Sequence, residues 1–175
     1  QKNIPNKNFS IDLYENIIDN EQSLKKSKLK YQNQKNSNNK EINKIIRNFN
    51  KEKINILDFG AGWGHWLISG PSSFYDSYAF ELSPSRKLFL TSNGIKVLNF
   101  NNISRYEDFF HYIRLDQVLE HLDEPNDVLK IIKKLGKKNC IFYISVPDGN
   151  EIIEKKNVLF IKKGPVQPLE HLNCF

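Results

Sequence analysis

Methionine is absent from all 175 residues, and the first residue is glutamine. The chain is therefore expected to start downstream of its natural beginning or to have been processed. Cysteine is nearly absent as well: Cys140 sits inside an apolar run and Cys174 next to the last residue. Two such residues support neither a disulfide framework nor a zinc site, so both are expected as reduced thiols and no metal is expected. Apolar runs are short, none approaching the roughly 20 residues that cross a bilayer, so no membrane span is expected. Nor does a basic start with an apolar centre mark a signal peptide, which makes the cytoplasm the expected compartment.

Acidic residues are scarce in one region only. Net charge is +6, yet residues 54–175 carry fourteen basic and fourteen acidic side chains, while residues 1–53 carry twelve basic and six acidic. The whole excess lies in the N-terminal segment. A basic arm can meet nucleic acid or an anionic substrate, but arginine is rare there and aromatics are not interleaved with the charges. The segment is rich in Asn, Lys and Ile, and a solvated helical face is the better reading, so nucleic acid is not an expected partner. With 39% hydrophobic and 26% charged residues, a chain of this length builds one domain with a substantial core.

One stretch organises the rest: Ile54-Asn-Ile-Leu-Asp58-Phe-Gly60-Ala61-Gly62-Trp-Gly64-His-Trp-Leu67. An apolar run ends in an acid, and three alternating glycines precede the next apolar residues, which predicts a strand, a tight turn and a helix start. Glycine admits positive φ and lets a ligand approach the main chain, and the helix start offers unpaired N–H groups. A dinucleotide turn reads G-x-G-x-x-G and seats a pyrophosphate. Here the spacing is G-x-G-x-G, and Asp58 would repel a pyrophosphate and attract a cation. A glycine turn with no ligand is the alternative if nothing else agrees.

An acid followed by G-x-G-x-G resembles the first motif of the class I S-adenosylmethionine-dependent methyltransferases, whose ligand carries an ammonium group that suits the acid. A second stretch, Val118-Leu119-Glu120-His121-Leu122 with Pro125, looks like the fourth-strand motif of the same superfamily. The likeness runs from Ile54 to Pro147. It implies an α/β fold, a Rossmann-like open and mostly parallel sheet with helices on both faces, preceded by N-terminal helices. It implies S-adenosyl-L-methionine as cofactor and methyl transfer to an acceptor, expected to be a small molecule. Sheets of this family normally finish with two further strands, for which no room is visible, so a fragment or a shortened relative is expected.

Taken in order, residues 1–8 read as disordered. A helix capped by Ser10 carries Phe9, Leu13, Ile17 and Ile18 on one face and fades into the polar stretch from Lys25 to Asn39. A second helix, with Ile42, Ile45, Ile46 and Phe49 at helical spacing, follows the cap signal Asn38-Asn39. Residues 1–53 thus form a basic helical segment and 54–175 the core. Past the glycine turn a short helix at 66–68 ends at Gly70-Pro71. The second strand, 77–82, finishes in Glu81, where a carboxylate can accept two hydrogen bonds from a ribose diol. Ser83-Pro84 caps a helix closed by Gly94.

A third strand, 95–98, leads to Asn101 and Asn102, where the resemblance implies an acid near the adenine amino group; an amide can serve it too. The fourth strand ends near Asp116, and a helix begun by Pro125 turns Val128, Leu129, Ile131, Ile132 and Leu135 inward and is closed by Gly136. The fifth strand, 140–146, is an uninterrupted apolar run of the kind buried on both faces. An extended piece at 157–161 precedes Gly164-Pro165. The final Glu170-His171-Leu-Asn173-Cys-Phe175 resembles a segment that follows the fifth strand in some of these enzymes.

Ligands in an open α/β sheet bind outside the carboxyl ends of the strands. Asp58, Gly60, Ala61, Gly62 and Gly64, then Glu81 and Leu82, Asn101 or Asn102, and Gln117 all fall there and are the candidate cofactor contacts. His121 is the candidate base, since its ordinary pKa lies near neutrality; shaping the loop through a backbone bond is the alternative. Glu120 reads as structural. His171 either faces the acceptor or caps an exposed helix, and Tyr31 either lines the acceptor pocket or packs in the core. Beside the methyltransferase stand a non-catalytic cofactor- or partner-binding protein and an oxidoreductase using a nicotinamide cofactor, against which the glycine spacing and Asp58 both count. The acceptor and the oligomeric state are not legible.

Overall fold

The computed structural model describes residues 11–49, 53–150, 171–173 and 175, the Tyr14 side chain excepted. The expectations for residues 1–8, for Phe9 and the Ser10 cap, for 157–161 and Gly164-Pro165, and for Glu170 and Cys174 lie outside the described residues. Five strands form one sheet: β1 (Ile54–Phe59), β2 (Tyr75–Phe80), β3 (Lys96–Leu98), β4 (Phe110–Asp116) and β5 (Gly136–Ser145), in the order β3-β2-β1-β4-β5. All four pairings are parallel. The order runs outward in one direction up to β3 and in the other from β4 to β5, so the direction reverses between β1 and β4. In open α/β sheets the ligand crevice lies at the carboxyl ends of the strands beside such a reversal.

Among the described residues three α-helices flank the sheet: α1 (Asn20–Arg47), α2 (Pro84–Ser92) and α3 (Pro125–Leu135). Ile42, Ile45 and Ile46 of α1 and Leu90 of α2 share a core with Ile54, Ile56 and Ala79 on one face. Ile132 and Leu135 of α3 pack with Leu57, Phe80, Ile113 and Leu115 on the other. The doubly covered α/β sheet expected from the motif is therefore present. Ser83 caps α2 by accepting from the Arg86 N–H, with Pro84 in its first turn, and Gly94 closes it at φ 76°.

Several local expectations change. Residues 20–47 are one continuous helix capped by the Asp19 side chain, which accepts from Gln22 N, and there is no break at Asn38-Asn39. The polar middle persists as a helix because its Lys and Gln side chains lose little entropy there, while only the last turns carry a buried apolar face. Before it, Leu13–Ile17 is a single π-helical turn. The helix expected after the glycines is one 3-10 turn, Leu67–Ser69. Ile131 points outward while Ile132 and Leu135 are buried. Gly136 takes an extended conformation and opens β5 rather than forming a left-handed cap.

The largest departure is β5. Among the described residues it pairs only with β4, and Phe142 and Ile144 are 40% and 46% exposed. The apolar run thus forms an edge strand, not one buried on both faces, because no described element covers its outer side. Among the described residues, no helix is long and apolar enough to cross a membrane.

Candidate functional site

The turn after β1 is built by its glycines and held by β2. Gly60, Gly62 and Gly64 all have positive φ, at 79°, 56° and 65°. The N–H groups of Gly60 and Ala61 both donate to the Phe80 carbonyl. Space decides what each glycine does. A Cβ on Gly60 would lie 2.6 Å from Val118 Cγ2, and one on Gly64 would lie 2.3 Å from Leu90 Cδ2. A Cβ on Gly62 would meet nothing within 4 Å. Two glycines therefore permit close packing, and the middle one borders open space.

Glu81 is the clamp of this turn. One carboxylate oxygen accepts from Gly62 N at 2.8 Å, and the other accepts from Leu82 N at 2.8 Å and Ser83 N at 3.0 Å. A carboxylate with three amide donors still offers lone pairs to a further partner.

Asp58 lies in register with Arg114 across β1 and β4. Its carboxylate is 2% exposed and stands 3.4 Å from the Arg114 guanidinium, which also reaches Asp116 at 2.6 Å. The same guanidinium lies over Trp66 at 4.8 Å and Tyr143 at 5.4 Å. Burial pushes the Asp58 pKa up to about 6, with Arg114 holding it back. The folded state thus binds this proton more tightly than the unfolded chain, so Asp58 favours folding most at low pH and less as pH rises from about 4 through 6. Relative to Asp58→Asn, wild-type stability is expected to fall by about 3 kcal/mol between pH 3.5 and 7. Urea unfolding of both across that range measures it; parallel curves would refute it.

The N-terminal elements bear on the same place. The Glu15 carboxylate accepts from the Ser83 hydroxyl, from Ser85 Oγ at 3.0 Å and from Ser85 N. Burial opposes its charge, but bonds from Ser83 and Ser85, with Arg86 nearby, hold its pKa below the usual value. Trp63 Nε1 donates to Ser23 at 3.1 Å and Trp66 Nε1 to Glu41 at 3.2 Å, which ties α1 to the glycine loop. Tyr31 stacks on His65 with ring centroids 5.0 Å apart, a packing role against that loop.

A family model described as methyltransferase domain matches residues 30–175. The chain belongs to this methyltransferase-domain family. Among solved structures, a SAM-dependent methyltransferase from Archaeoglobus fulgidus aligns at 18% identity over 74% of this chain and 63% of the other, with a TM-score of 0.49. One from Aquifex aeolicus aligns at 21% identity over 54% and 57%, with a TM-score of 0.42. The YcgJ protein of Bacillus subtilis aligns at 17% identity over 53% and 43%, with a TM-score of 0.44. In each case the matched part spans less than two thirds of the other chain. No curated protein matches.

In this methyltransferase domain the structure joins some of the expected residues and separates others. Gly62, Glu81 and Leu82 form one hydrogen-bonded unit, and Val118 after β4 abuts Gly60. Asn101 and Asn102 sit in the loop after β3, where Asn102 Oδ1 accepts from Asn99 N and Asn99 Oδ1 accepts from Asn101 N. Gln117, at φ 56°, sends its amide to Ser145 Oγ on β5. His121 and His171 meet edge to face at 4.9 Å. The final segment is fastened there, since Leu172 N and Asn173 N both donate to the Glu120 carbonyl.

Three contributors went unread in the sequence. Arg114 was legible as a charge in an apolar strand two residues before Asp116, hence on the same face, though its register with Asp58 was not. Phe100, exposed beside Asn101, packs against Phe80 at 4.6 Å. Glu15 carried no signal at all.

Proposed function

We propose that this domain binds S-adenosyl-L-methionine and transfers its methyl group to an acceptor, most simply a small molecule. The observation that carries the reading is the open volume beside Gly62, a position without Cβ on a turn whose amide is clamped by Glu81. A ligand approaching there meets main chain rather than side chain. Glu81 and Leu82 would receive the ribose end, and the loop with Phe100, Asn101 and Asn102 the base. Asp58 already faces a cation, Arg114, so its part is to fix the turn's floor, and an ammonium group would meet it only as a second positive neighbour.

The cofactor supplies an activated methyl on sulfonium, which leaves the protein the tasks of alignment and exclusion of water. The acceptor loses a proton when its nucleophile is protonated, and His121, after β4, would be the group to take it.

Calorimetric titration of the chain with S-adenosylhomocysteine, with NAD as control, tests the reading. Micromolar binding of the first ligand alone is expected. Glu81→Ala is expected to weaken it at least tenfold, and also to lower stability by about 1–3 kcal/mol because three amides lose their acceptor. No heat from folded wild-type protein would overturn the proposal.

A further inference from the structure

Beyond the cofactor crevice, the turn after β4 gathers three groups that ligate metals. One donor atom each from Glu120, His121 and His171 lies within 4.8 Å of the others. Glu120 is 1% exposed, and among the described residues neither of its carboxylate oxygens has a hydrogen-bond partner. His121 Nε2 stands 3.9 Å from Glu120 Oε1, too far for a hydrogen bond. A carboxylate taken out of water without hydrogen bonds costs several kcal/mol, and natural folds place a cation beside it.

Backbone bonds hold the arrangement in place. Leu172 N donates to the Glu120 carbonyl at 2.6 Å and Asn173 N at 3.1 Å. The Asn173 side-chain amide donates to the carbonyls of Leu119 and Leu122. His171 is therefore set against the 3-10 turn Leu119–His121 from a part of the chain remote in sequence.

We infer that Glu120, His121 and His171 bind one divalent first-row transition cation. Two imidazoles and one carboxylate are the donor set of three-ligand zinc sites and of facial two-histidine, one-carboxylate sites, both of which keep a coordination position open. Mg²⁺ and Ca²⁺ take oxygen shells and are disfavoured by two ring nitrogens. Bonds of about 2.0–2.1 Å to the metal set donors about 3.3 Å apart, so the three groups must draw together, by side-chain rotation of the two histidines. The two cysteines speak only against a thiolate site. Ligation at His121 and proton transfer by it exclude each other at the same nitrogen, so the titration also decides whether that histidine is available as a base.

The test uses the full chain, freed of metal with a chelator, its purification tag removed. Titration with Co²⁺ followed by visible absorption, and displacement of the Co²⁺ by Zn²⁺, is expected to show one site of micromolar or tighter affinity. His171→Ala and Glu120→Gln are each expected to weaken it at least tenfold, and Cys140→Ser to leave it unchanged. If Glu120→Gln does not fold, His171→Ala decides, since it removes no core group. Absence of a single site, or equal affinity in wild type and His171→Ala, overturns the inference. The inference does not rest on cofactor binding, which is measured separately in metal-free buffer.

Discussion

Gly64→Val is expected to remove a large part of the folding stability, whereas Gly62→Val is expected to spare the fold and abolish the proposed cofactor binding. Both residues have positive φ, at 65° and 56°, where a β-branched side chain is strained by roughly 1–3 kcal/mol. Their surroundings separate them. At Gly64 the new Cβ would lie 2.3 Å from Leu90 Cδ2 and 3.0 Å from Ile95 Cδ1, and both of those residues are buried. Overpacking of that kind adds roughly 1–3 kcal/mol, so a total of roughly 2–6 kcal/mol is lost from a domain whose class holds about 5–15. At Gly62 nothing stands within 4 Å, so only the backbone strain is felt. The branched side chain then fills the open space beside the turn, and under the proposed function S-adenosylhomocysteine affinity should fall at least tenfold. Urea midpoints for both variants and calorimetry on Gly62→Val check this. Equal midpoints would show that the packing against Leu90 does not matter.

The same contrast marks what the sequence can and cannot disclose. Alternating glycines announce a turn, but which glycine faces a neighbour and which faces a void depends on Val118, Leu90 and Ile95, each brought in by tertiary structure. Strand–helix alternation and the Ser83-Pro84 cap are local, so the parallel sheet and α2 were legible. Whether an apolar strand is central or at an edge is a question about neighbours, and the run from Cys140 to Val146 answers it only in the folded sheet, where among the described residues β5 pairs with β4 alone. The long α1 escaped for the opposite reason. Its middle has no apolar face to recognise, and its cap, Asp19, precedes a stretch that looks like solvent-exposed linker. The pairing of His171 with His121 joins residues far apart in the chain, and no spacing rule reports it.

Arg114→Met is expected to destabilise the domain by about 3–5 kcal/mol at pH 8, the range for breaking a buried pair from one side. The guanidinium is the cation facing Asp58, and it also engages Asp116 while lying over Trp66 and Tyr143. Methionine keeps much of the stem volume, so the loss should be electrostatic more than steric. Without Arg114, the cause that lowers the Asp58 pKa is gone and burial raises it further from about 6. The folded state then holds the proton over a wider range, and the linkage has a definite sign. The variant should come closer to wild type as pH falls towards 5 and fall away from it as pH rises. Adding Asp58→Asn removes the stranded charge and should restore a large part of the loss at pH 8, with a coupling of more than 1 kcal/mol between the two substitutions. Asp116, only partly buried, stays solvated in every variant and should not reproduce this pattern. Urea unfolding of the four-member cycle at pH 5 and pH 8 measures it. Simple additivity at pH 8 would show that Asp58 does not depend on Arg114, and the turn above β1 would then have to be held by Glu81 and the glycine amides alone.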